Sequence, residues 1–99
     1  MHTYEQCLMT AEELRQILLA RLAKARDLLL TKYGSDPRAR EEVEGFVKVF
    51  EEKIRNLARA RDVTDILLLI MCVMNKYPEF TELFPDEESL DEASRLLND

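Results

Sequence analysis

Side chains that commonly carry out chemistry are scarce in this chain. His2 is the single histidine among 99 residues. A di-iron bundle centre needs paired Glu-x-x-His motifs, and none is present. Glu41 with Glu44, and Glu51 with Glu52, are close enough in sequence to share a cation. On a helix face such pairs are ordinarily solvated charge, so no metal site is assigned. Nucleophilic catalysis needs a hydroxyl or thiol beside a positioned base, and one histidine near the chain's start leaves little room for a Ser/His or Cys/His arrangement. Cys7 and Cys72 lack CxxC or any Cys/His ligand spacing. Cys72 lies inside an apolar run and is expected to be a buried, inert thiol. Two glycines are too few for a phosphate-cradling loop. Neither an enzymatic role nor a cofactor is therefore expected.

The chemistry left is recognition. Arg15, Arg21, Lys24 and Arg26 cluster in one segment, and Lys48, Arg55 and Arg59 share a face in another. Glu12, Glu13, Glu51 and Glu52 interrupt both groups, a pattern that suits intrahelical ion pairs better than a nucleic-acid stripe. The net charge of −6 is unevenly spread. Residues 1–78 carry 13 basic and 12 acidic side chains, whereas eight acids from Glu79 onward face Arg95 alone. Such an acidic end can stay solvated, fold back onto basic helices, or dock on a basic partner. Phe80-Thr81-Glu82-Leu83-Phe84 adds apolar anchors in that acidic setting. It is suited either to a hydrophobic groove on another protein or to covering an apolar helix of its own chain.

Helices must position these groups, because two glycines and three prolines are too few to punctuate a strand-rich fold. The expected architecture is all-α: one domain over 1–99, a compact bundle of three long helices plus a short C-terminal one. Helices are expected over 4–32, 37–60, 63–77 and 86–97. Thr3 with Gln6 and Thr10 with Glu13 both have capping-box spacing, leaving two possible starts for the first. Its stripe is Ala11, Leu14, Leu18, Leu22, Ala25 and Leu29. Gly34 suits a left-handed helix stop, and Asp36-Pro37 a helix start. Val43, Val47, Phe50, Ile54 and Leu57 form a near-heptad seam. Asp62 or Thr64 can cap the third helix, and Pro78 forbids its continuation. Ser89 with Glu92 has the capping-box spacing for the last.

Ile66 to Met74 is apolar on every face. A bundle helix normally leaves about a third of its circumference to water, so this one is expected to be covered all round, by its own chain or by a second copy. A membrane span needs about 20 apolar residues, far more than this run supplies. The opening Met-His-Thr-Tyr-Glu has neither the basic nor the apolar region of a secretory signal, and a cytoplasmic location with reduced thiols is expected.

These features point to a non-catalytic protein–protein interaction module, of the adaptor, assembly-factor, inhibitor or immunity type, acting as a homodimer. Leu69, Ile70, Met71 and Met74 are the candidates for self-association. Phe80, Phe84, Glu87 and Glu88 are the candidates for contact with another protein. The alternative from a different class is a nucleic-acid-associated regulator in which a dimer aligns basic helix faces. A third is a small-ligand pocket lined by Met71, Met74 and Phe50.

Overall fold

The computed structural model describes residues 10–97, so the possible helix start at Thr3, together with His2 and Cys7, lies outside the described residues. Helix α1 spans Ala11–Tyr33. Thr10 caps it: the Thr10 hydroxyl accepts from the Glu13 amide at 3.1 Å, and the Glu13 carboxylate accepts from the Thr10 amide at 3.1 Å. This reciprocal pair satisfies two of the amides that every helix start leaves unbonded. Leu14, Leu18, Leu22, Ala25 and Leu29 are all buried along one stripe, as their spacing predicts.

The break after α1 follows the expected residues but not the expected conformation. Gly34 is right-handed, with φ −63°, and its amide donates to the Leu30 carbonyl at 2.8 Å. Glycine is needed there for close approach, since a Cβ would collide with the Leu30 carbonyl oxygen. The Asp36 carboxylate then accepts from the Arg38 amide at 3.0 Å, and Pro37 opens α2, Pro37–Arg55. Val43, Phe50 and Ile54 are buried on α2, and Leu57 is buried just beyond it.

Helix α2 ends five residues short of the expected 60, and α3, Ala60–Val73, starts three residues before the expected 63. Asp62 is the physical reason. Its carboxylate accepts from the amides of Ala58 at 2.8 Å and Arg59 at 2.9 Å, so it caps from within the first turn of α3 rather than ahead of it. Arg15 reaches across from α1 to donate to the Leu57 carbonyl, which removes that oxygen from any continuing helix. At its far end α3 stops before the expected 77, and a turn delivers Tyr77 into the core.

A 3₁₀ segment, Pro78–Leu83, carries Phe80 and Leu83 inward. Helix α4, Glu87–Leu97, follows. Asp86 caps it, accepting from the Ser89 amide at 2.8 Å, so Ser89 is the third helical residue and not the cap. Helix α1 packs most extensively on α2 and on the 3₁₀ segment, while α4 rests chiefly on α3. Aromatic rings close the core where these elements meet. Phe50 stacks on Phe80 with centroids 4.8 Å apart, and Tyr33 meets Tyr77 edge-on at 5.4 Å. Such pairs add specific geometry to the burial of large apolar surfaces.

Candidate interaction surface

Helix α3 buries Val63, Ile66, Ile70 and Val73. These lie at the three- and four-residue spacing of a single stripe, so the run of apolar residues from Ile66 to Met74 is divided by its own periodicity. The opposite side is not covered. Leu68 is 53% exposed and Met71 63% exposed, and Cys72 is an exposed free thiol. Of the two covers expected for α3, the described chain does not supply its own on this side, and the expectation that Cys72 is buried is corrected. The 3₁₀ segment and α4 cover the core-facing flank of α3 and stop there.

The four residues expected to mediate self-association are split by this arrangement. Met71 is on the outer face. Met74, 39% exposed, lies about a third of a turn away from Leu68. Leu69 is half-buried, and Ile70, at 6% exposed, belongs to the core. Leu68, the residue at the centre of the exposed face, was missed. Its position three residues before Met71 and opposite the Val63–Ile66–Ile70–Val73 stripe was the available signal.

Phe80 and Phe84 are 0% and 9% exposed, so the structure places them in the core, and neither offers a surface to another protein. They help to close the core beneath α3. Of that group only Glu87 and Glu88 are exposed, on the first turn of α4. The proposed ligand pocket is not assembled either. Phe50 is fully buried, whereas Met71 and Met74 face outward. The open grooves on the described surface are lined by α2 and the start of α3, among them Val49, Glu52, Asp62 and Asp65.

Charge is distributed differently. The Arg26 guanidinium donates two hydrogen bonds to Glu44 at 2.8 and 2.9 Å, joining α1 to α2. Lys24 pairs with Glu82 and Lys32 with Glu79, joining α1 to the 3₁₀ segment. Arg21 donates to the Leu83 carbonyl at 3.1 Å. The front of the acidic C-terminal region thus folds back onto the basic flank of α1. The Arg26 hydrogen bonds hold the Glu44 carboxyl below the usual carboxylate range. At the other end of α3, Lys76 pairs with Glu42 at 2.7 Å, and the Tyr77 hydroxyl donates to the same carboxylate. Burial first, and then that acceptor carboxylate, push the Tyr77 hydroxyl up to about 12. The Ala58 and Arg59 amides hold the Asp62 carboxyl below its ordinary value. Each of these shifts has a fold-holding cause.

Among the described residues no group of three or more His, Cys, Asp or Glu side chains is placed to hold a metal ion. No helix among them is long and apolar enough to cross a membrane. No protein-family model matches the chain, and no curated protein and no solved structure is significantly similar to it.

Proposed function

We propose that this protein is a non-catalytic protein–protein interaction module that acts as a homodimer through the outer face of α3. The observation that carries the reading is the pair Leu68 and Met71, each more than half exposed on a rigid helix beside Cys72. Scattered exposed apolar residues are ordinary, but a contiguous group on one helix face marks a contact surface. Methionine adapts its shape to a partner at little cost in strain. The basic side chains of α1, by contrast, are already engaged within the chain.

Absolute mass by light scattering over a dilution series tests this. Wild type is expected to pass from dimer to monomer on dilution, and Met71→Asp to remain monomeric with an unchanged circular dichroism spectrum. A wild type that is monomeric at every concentration overturns the reading. Ile70→Asp serves as the control for unfolding, because its side chain is in the core.

A further inference from the structure

Gly45 lies in the middle of α2, where only proline is a poorer helix former than glycine. Its φ is not positive, and a Cβ added there would meet nothing within 4 Å. Neither backbone conformation nor packing within the described chain therefore calls for glycine at this position. Four residues on, Val49 is 43% exposed. Helices α2 and α3 run antiparallel, and two features fix their register. The Glu42–Lys76 ion pair marks one end, and a groove shared by Val49, Asn56, Asp62 and Asp65 marks the other. Between those points Gly45 and Val49 run alongside Leu69 and Cys72. Gly45 and Val49 line one open groove with Lys48 and Glu52, and Val49 and Glu52 also line the groove shared with Asp62 and Asp65 of α3.

We infer that a second copy of this chain docks on this joint α2/α3 face, with a helix of the partner passing close over Gly45. This rests on the self-association reading above and specifies its surface. Area favours two helices over one. The outer face of α3 alone is a single row of side chains. Adding α2 over the same length gives a patch of roughly 20 by 20 Å, from a rise of about 1.5 Å per residue and an interaxial spacing of about 9 Å. That approaches the roughly 500 Å² per partner at which specific interfaces begin. Charge favours a second copy over a foreign partner. The chain carries a net −6, so two copies repel unless the meeting surfaces are balanced. The open grooves of this face are lined by three bases, Lys48, Lys53 and Arg55, and four acids, Glu51, Glu52, Asp62 and Asp65. A two-fold axis can set the bases of one protomer against the acids of the other, and a partner of one-signed charge gains nothing from such a surface. Glycine at the crossing lets the two backbones approach closely.

Light scattering of wild type, Gly45→Arg, Gly45→Ala and Met71→Asp over the same dilution series, with melting curves of the dilute proteins, tests the inference. Both Gly45 variants are expected to melt no lower than wild type. Gly45→Arg is expected to weaken the dimer about 30-fold or more, the scale of losing a central contact, with Gly45→Ala in between. A wild-type dimer that Met71→Asp splits and Gly45→Arg leaves intact overturns this face while the α3 reading stands. A wild type that never dimerises overturns both. A loss of fold common to both Gly45 variants also overturns it, because the chain itself would then be using that space. Were Gly45→Arg alone to misfold, the dimer affinity of Gly45→Ala decides, and an unweakened dimer overturns the inference.

Discussion

The flank of α1 and the outer face of α3 are the two surfaces of this molecule that most invite a functional reading, and they are built in opposite ways. On α1 the polar groups look free in the sequence, yet Arg15, Arg21, Lys24, Arg26 and Lys32 each reach an acceptor on another element. On α3 the residues look like core, yet Leu68, Met71 and Cys72 face outward. Exposed ion pairs contribute little stability each, about 0–1 kcal/mol, but they use up the charge that a polyanion would need. The apolar face is left open by the described chain and is available for contact. A surface rich in charge is thus occupied, and the surface poor in charge is the vacant one.

The contrast can be broken most severely from inside α3. Ile70→Asp buries a carboxylate in the core and is expected to cost more than about 4 kcal/mol, enough to unfold the chain in a urea titration. Met71→Asp, one residue on, should leave the unfolding midpoint of the monomer nearly unchanged. Equal effects at the two positions would mean that α3 is enclosed after all. Next in size, Phe80→Ala removes the ring stacked on Phe50 and is expected to cost about 3–5 kcal/mol, read from the same titration. A small loss would show that the 3₁₀ segment is a loose cover and not part of the core.

Two smaller effects sharpen the comparison through pH. Tyr77 titrates higher in the folded chain than when unfolded, at about 12 against its ordinary 10. Its stabilising contribution is therefore complete below about pH 10 and is lost as pH rises from about 10 to 12. Tyr77→Phe should flatten the alkaline fall in melting temperature over that window. Asp62 is shifted the other way, held down by the Ala58 and Arg59 amides. Its contribution is complete above about pH 4 and is lost as pH falls through its folded value. Asp62→Ala should cost about 1–2 kcal/mol at neutral pH, the usual loss for a helix cap, and its stability should depend less on pH below 4. The smallest expected effect is Gly45→Ala, a gain of about 0.5–1 kcal/mol in the dilute monomer, measured as a rise in urea midpoint.

Much of the fold was legible because local rules decided it. The α1 stripe from Leu14 to Leu29, the Thr10–Glu13 box, the Asp36-Pro37 start and the seam of Val43, Phe50 and Ile54 all depend on spacing within one helix, and spacing is written in the chain. The junction between α2 and α3 was not legible in the same way. Residues 56–60 have reasonable helix propensity, and the break there needs Asp62 to bind two amides behind it while Arg15 arrives from α1. The Arg15 contact is 42 residues distant in sequence, beyond any local pattern. The candidate surface was read in part for a related reason. A run apolar on every face hides which of its sides turns inward, and so Met71 was named, Leu68 was overlooked and Ile70 was misplaced.

The chain by itself determined that this protein is helical, that a helix begins at Asp36-Pro37, and which stripe of α1 and α2 seeks the core, because propensity, capping and a 3.6-residue period act over a few neighbouring residues. Tertiary structure decided which side of α3 is covered, that Phe80 and Phe84 belong to the core, and that the bases of α1 are bound to the chain's own acids and carbonyls. Those outcomes depend on how much apolar surface the remaining segments can reach, and that is a property of how whole elements pack together.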